Sequence, residues 1–192
     1  MTQHHIAGLV LAAAAAMSIA PATTGSAADK KPVFDLHVTG LKEWSPLPKK
    51  FAGNNPRFGC DGGNTSPALS WSNPPANAKS FAIVLFDPSG NPPLGFVHWI
   101  AYDIPATMTG LKEGEGSKPS TAFKAGKNSV GADVYFGPCP PAADKAHPYT
   151  FILMATDLAP GTLNPGMTRD DLAAALKGHI VGRTTLVQRY GG

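Results

Sequence analysis

Most signatures of a catalyst are missing from these 192 residues. There is no G-x-S-x-G elbow, which removes the main signal of a lipase-type serine hydrolase. No Walker loop and no dinucleotide fingerprint is present, so nucleotide chemistry has no glycine-rich phosphate cradle to work from. There is no C-x-x-C pair, no H-E-x-x-H and no cluster of carboxylates, which takes away the usual metal-site and paired-acid patterns. Together these absences point away from an enzyme and imply no cofactor. Charge is scarce as well: Asp, Glu, Lys and Arg make up 15% of the chain and the formal net charge is +3. The cations are dispersed and form no basic stripe, so nucleic acid is not indicated as a partner.

The first segment, MTQHHIAGLVLAAAAAMSIAPATTGSAA, contains no acidic residue, lysine or arginine. Its apolar stretch from Ile6 to Ala20 is followed by small residues at Ser26, Ala27 and Ala28. The expected reading is a secretory signal over residues 1–28, cleaved near Ala27 or Ala28. The rival is an uncleaved anchor, for which the run is short and Ala-rich. Positive charge in its first part can come only from the amino terminus and from His4 and His5. Residues 29–192 then form one domain of ordinary size, with no second apolar run of membrane-spanning length. The protein is expected in the periplasm or outside the cell. In such a compartment Cys60 and Cys139, the only two cysteines, tend to pair. A bridge would close a loop of about 80 residues and contribute about 4 kcal/mol. The alternative is two separate buried thiols.

Glycine and proline are plentiful, at 21 and 19 residues, so the chain is punctuated too often for a helical bundle. Short apolar runs between turns read as a mainly β, antiparallel sandwich. Expected strands are Phe34–Val38, Ala68–Ser72, Ser80–Asp87, Gly95–Ile104, Tyr149–Leu158 and Thr184–Tyr190. The runs SFAIVLFD, GFVHWIAYDI and YTFILMATDL are apolar on both faces and should be central. One helix stands out in TRDDLAAALKG: Thr168 is a good N-cap, Asp171 stands three residues on, and Leu172 and Leu176 share a face. The next residues, HIVGR, have no clear assignment. Residues 112–137 are polar and glycine-rich without a period, the pattern of a functional surface or a mobile loop.

Polar residues at strand ends carry what chemistry there is. Asp87 closes an apolar strand and is followed by Pro88, which fixes the turn; its plainer reading is a turn aspartate. His98 lies inside FVHWI, on the same face as Phe96 and Ile100 by strict alternation. A buried imidazole needs partners. It reads as a satisfied core histidine, as a ligand contact or, with no supporting spacing, as a metal ligand. The stretch GPCPPAADKAHPY crowds Pro138, Pro140 and Pro141 around Cys139 and ends in His147 and Tyr149. Prolines stiffen a wall and lower its ordering cost on binding. The alternative is a stiff surface loop with a rim tyrosine.

With those residues in view, the chain resembles the phosphatidylethanolamine-binding protein family, in its bacterial Raf kinase inhibitor-like branch. The likeness rests on GCDGGNTSPALSW, SFAIVLFDP, GFVHWIAYDIPA, GKNSVGADVYFGPCPP and HPYTFILMATDL, in family order, from about Gly59 to Tyr190. It implies an antiparallel β-sandwich with a C-terminal helical element and a small pocket for phosphate, phosphorylethanolamine or similar anions. Asp87 matches the first Asp of the family's D-P-D-x-P, His98 the histidine of its H-W strand, Pro140 and Pro141 its G-x-x-P-P segment, and His147 and Tyr149 the ends of its H-R-Y triplet. Two positions depart: Ser89 stands for the second Asp and Pro148 for the Arg. A guanidinium that would grip phosphate with two bonds is thereby missing.

The leading expectation is a non-catalytic binding module whose pocket of Asp87, His98, Pro140, Pro141, His147 and Tyr149 takes a small anion or a phospholipid head group. The alternative is an interaction protein, a protease or signalling inhibitor, using the pocket rim and residues 112–137. A hydrolase using His98 with Asp87 comes third: the two resemble a base–orienter pair, but no nucleophile is evident in the sequence.

Overall fold

The runs that are apolar on both faces become the middle of a five-stranded sheet, because only a strand covered on both sides can bury such a sequence. The computed structural model describes residues 1–2 and 32–192, and the expected signal segment beyond residue 2, with its cleavage site, lies outside the described residues. In chain order the strands are β1 (Asp35–Val38), β2 (Asn54–Asn55), β3 (Cys60–Asp61), β4 (Leu69–Ser72), β5 (Ser80–Asp87), β6 (Phe96–Pro105), β7 (Gly110–Leu111), β8 (Lys124–Ala125), β9 (His147–Thr156) and β10 (Ile180–Tyr190). Among the described residues one α-helix, α1 (Arg169–Ala175), precedes the last strand. The large sheet has the order β10-β9-β5-β6-β8, the small one β1-β4-β7, and β2 pairs with β3. Every strand pairing is antiparallel.

Two apolar layers follow from this order. Between the sheets, Leu36, Val38, Leu69 and Trp71 of the small sheet meet Phe81, Ile83, Leu85, Trp99, Phe151 and Leu153 of the large one. On the outer face of the large sheet, Ala82, Val84, Ile100 and Tyr102 pack against Leu163, Leu172 and Leu176. The helix is thus the lid on the second layer. Its start is the expected capping box: Thr168 accepts from the Asp171 amide while the Asp171 carboxylate accepts from the Thr168 amide, which satisfies two otherwise free donors.

Two expectations need correction in detail. His98 does not share a face with Ile100. The β5–β6 pairing shifts register: Leu85 stands opposite Trp99 but Phe86 stands opposite Val97. His98 is therefore the extra residue of a β-bulge, and a bulge re-aims a side chain that alternation would send elsewhere. Phe96 and His98 lie together, ring centroids 4.7 Å apart, while Ile100 belongs to the outer layer. The segment 112–137, expected as a surface or a mobile loop, is built into the fold. Phe123 and Tyr135 enter the inter-sheet core, β8 pairs with β6, and the Tyr135 hydroxyl donates to the Phe51 carbonyl at 2.7 Å. Its anchors are single aromatic residues spaced without a period, so no periodicity betrays them.

Of the unassigned HIVGR, the last four residues, from Ile180, open β10. A register shift between Ile180 and Gly182 spoils the alternation there, which is why the strand is readable only from Thr184 onward. The remaining expected strands keep their places within one or two residues.

Candidate functional site

Three neighbouring strands end on the same side of the large sheet: β5 at Asp87, β6 from Phe96, and β9 from His147. Phe96 pairs with Asp87, and the β5–β9 ladder ends with Phe86 opposite Thr150, so Asp87 falls beside Tyr149. Along β9, His147, Tyr149, Phe151 and Leu153 take the buried, inward side at every second position. Strand geometry thus gathers a carboxylate, two imidazoles and a phenol at one mouth of the sandwich.

The opposite wall comes from the proline-rich stretch. Gly137 must be glycine: a Cβ there would stand 2.4 Å from the Phe51 carbonyl oxygen. This close approach lets the Gly137 amide donate to Asn64 Oδ1 at 2.8 Å and the Gly53 amide donate to the Pro138 carbonyl at 2.8 Å. A disulfide joins Cys60 to Cys139 with Cα atoms 5.8 Å apart, within the ordinary range for such bridges. The alternative of two separate thiols is thereby excluded, and the wall is tied to the turn that carries Phe58.

These elements enclose a cavity of about 320 Å³, at the lower end of sizes used for small ligands. All six residues expected from the sequence line it: Asp87, His98, Pro140, Pro141, His147 and Tyr149. Sequence reasoning missed the rest of the lining, namely Phe58, Gly90, Asn91, Phe96, Val130 and Phe136, and it assigned Cys139 only to the disulfide. Phe96 was within reach, since pairing the two long apolar runs as a hairpin sets it opposite Asp87. Phe58 and Val130 carry no such signal; they are 61% and 47% exposed at the rim.

The polar groups are committed to one another. Asp87 is 3% exposed; its Oδ1 accepts from the Ser89 amide at 2.8 Å. Its Oδ2 accepts from His147 Nδ1 at 2.7 Å. His147 Nε2 lies 3.4 Å from Asp144 Oδ2, so this imidazole sits between two carboxylates. His98 Nδ1–H donates to the Phe136 carbonyl at 2.7 Å, which fixes the tautomer and leaves Nε2 as an acceptor. Burial lowers the His98 pKa to about 4, against the raising pull of the Phe136 carbonyl and the Asp87 charge. The ring is therefore neutral at pH 7. Burial, and then the Asp87 charge, push the Tyr149 phenol well above its ordinary value, so it keeps its proton.

The rings form a continuous wall. His98 packs edge-on to Tyr149 at 5.1 Å, Phe96 lies 6.0 Å from Phe136, and His147 stacks on Tyr149 at 6.4 Å. No serine, threonine or lysine lines the cavity, and its cysteine is in a disulfide. Among the described residues no three His, Cys, Asp or Glu side chains converge as metal ligands.

Comparison with known proteins agrees with this geometry. The family model described as phosphatidylethanolamine-binding protein matches residues 44–191. A UPF0098 protein of Methanothermobacter thermautotrophicus is 39% identical over 137 residues, covering 70% of this chain and 87% of its own. LppC of Mycobacterium tuberculosis, which carries a lipoprotein designation, is 38% identical over 140 residues, covering 71% of this chain and 65% of its own. Among solved structures, Escherichia coli YbcL, described as a member of the mammalian PEBP family, superposes with a TM-score of 0.75 at 30% identity, over 83% of this chain and 98% of YbcL.

Proposed function

The chain belongs to the phosphatidylethanolamine-binding protein family, and from that premise we propose that it is an exported, non-catalytic binding protein whose cavity takes the polar head of a small molecule or phospholipid. The observation that carries the reading is the convergence of Asp87, His98, Pro140, Pro141, His147 and Tyr149 on one cavity. A stiff proline wall and a buried, mutually bonded polar set are pre-organised, so little ordering is needed when a ligand enters. Export is supported by the disulfide, by the composition of residues 1–28 and by the lipoprotein designation of the LppC relative. A non-catalytic role is supported by the lining: Asp87 occupies the His147 ring where a nucleophile would have to stand. The second reading, a protein partner docked on the rim and residues 112–137, has one support of its own, the exposed Val130 at the cavity edge.

The test is a titration of isotopically labelled protein with phosphorylethanolamine, followed by NMR. Shift changes confined to the cavity residues, with no turnover of a phosphoester and ester panel, are expected. Silence at millimolar ligand, or turnover that disappears in His98→Ala, overturns the reading.

A further inference from the structure

Five non-glycine residues among the described ones have a positive φ, and four of them are Asn or Asp: Asn64, Asn73, Asn91 and Asp103. Those short polar side chains tolerate the left-handed region. The fifth is Trp44, at φ 63°, where a bulky side chain is a true outlier. It is the third residue of a turn closed by the Ser45 amide, which donates to the Lys42 carbonyl at 3.1 Å. A turn with positive φ at that place normally takes glycine or asparagine. Packing does not compensate: Trp44 belongs to neither apolar layer and is 57% exposed. The turn is nevertheless held firmly. The Trp44 amide donates to the Val187 carbonyl at 2.7 Å, the Arg189 amide to the Ser45 carbonyl at 3.1 Å and the Leu47 amide to the Arg189 carbonyl at 2.7 Å. Strain kept in place by its surroundings, around a side chain the core does not need, points to a use for the exposed indole.

The indole lines a groove of about 430 Å³ beside β10, the edge strand of the large sheet. This groove shares no lining residue with the strand-end cavity. Tyr190 adds a second aromatic ring, and Pro46 and Leu47 an apolar bed. Arg189 brings a guanidinium, and no Asp or Glu side chain lines the groove. Among the described residues Arg189 makes no ion pair. Lys42 and Glu43, its neighbours in the turn, are exposed and stay out of the lining. Gly191 and Gly192 complete the groove without side chains, and a Cβ on Gly191 would stand 2.6 Å from Pro140 Cγ. Their peptide groups are therefore bare to a ligand.

We infer that this groove is a second binding site, for an acidic sugar unit of a glycan chain: the C–H face of the sugar lies on the Trp44 indole and its carboxylate on the Arg189 guanidinium. The C–H bonds on the apolar face of a pyranose carry slight positive charge and meet the negative face of the aromatic ring. A guanidinium holds a carboxylate through two parallel hydrogen bonds. Hydroxyls at the sugar's edge match the bare peptide groups of Gly191 and Gly192, which an alkyl chain would strip of water without replacing it. The site is independent of the head-group reading and stands or falls alone.

The test uses the full protein with its disulfide intact, at low salt and pH 7. Trp71 and Trp99 are buried, so acrylamide quenching of tryptophan fluorescence reports on Trp44. Trigalacturonic acid should protect the indole at about tenfold lower concentration than the neutral galactotriose of the same linkage, and octanoate should give no protection. Calorimetry should show the acid preference lost in Arg189→Gln and binding of both saccharides lost in Trp44→Gly. A purely structural tryptophan is told apart by melting: glycine relieves the left-handed backbone, so Trp44→Gly should melt at the same temperature or higher. A lower melting temperature overturns the inference, because the fold would then need the indole. Equal protection by the two trisaccharides, protection by octanoate, or protection by none of the three overturns it as well.

Discussion

The buried imidazole at the bulge makes stability depend on acid in a calculable way. In an unfolded chain a histidine titrates near 6.5; in the folded protein burial holds His98 down to about 4. Between these values the unfolded chain binds a proton that the folded chain refuses. Stability contributed by the neutral ring is therefore fully present above about pH 6.5 and is lost as pH falls toward 4. A tenfold difference in proton affinity between the two states corresponds to about 1.4 kcal/mol, so the loss from this one group on reaching pH 4 is about 3 kcal/mol. Urea unfolding at a series of pH values between 7 and 4, for the native protein and for His98→Gln, isolates it. Glutamine keeps an N–H donor for the Phe136 carbonyl but does not titrate. The native protein should lose about 3 kcal/mol more than the variant over that interval. An NMR titration of the imidazole gives the same quantity directly: the His98 ring signals should stay still until pH approaches 4. A ring that titrates near 6.5, or a difference between the two proteins that is flat with pH, refutes the burial argument.

Two further outcomes follow from the cavity walls. Replacing Cys60 and Cys139 by serine opens a closure spanning 79 residues and should cost about 4 kcal/mol in urea unfolding; intact mass after alkylation without reductant should show no free thiol in the native protein. Gly90→Ala places a Cβ 2.8 Å from the Phe96 Cβ and 3.0 Å from Asp87 Oδ2. It should destabilise by roughly 1–3 kcal/mol and weaken phosphorylethanolamine binding, and unchanged values in both measurements would show that this turn does not hold Asp87 in place.

Much of the architecture was legible because it follows from local pattern. Three two-sided apolar runs became the three inner strands, and Thr168 with Asp171 marked the helix start to the residue. The six lining residues came from ordered motifs that set polar side chains at strand ends, where a sheet must open to solvent. What escaped depends on register and on long-range contact. His98 was placed on its strand but on the wrong face relative to Ile100, because a bulge is a property of a pair of strands and leaves no mark on one. Tyr135 and Phe123 sit in a glycine-rich stretch without period, and only their distant partners, Phe51 for the hydroxyl and Trp99 for the ring, explain their burial. Asp144 was invisible as the outer neighbour of His147, since its role comes from a loop folding back by three residues.

The extra residue at His98 also changes what counts as a conservative alteration in this protein. Deleting Val97 alone would restore regular pleating opposite Leu85 and Phe86, set His98 opposite Phe86 on the outer face and swing the imidazole out of the mouth, although every chemically active residue type survived. In relatives of this chain, strand length at that point is therefore as informative as residue identity, and an alignment that slides a gap across it will pair a cavity histidine with a core one.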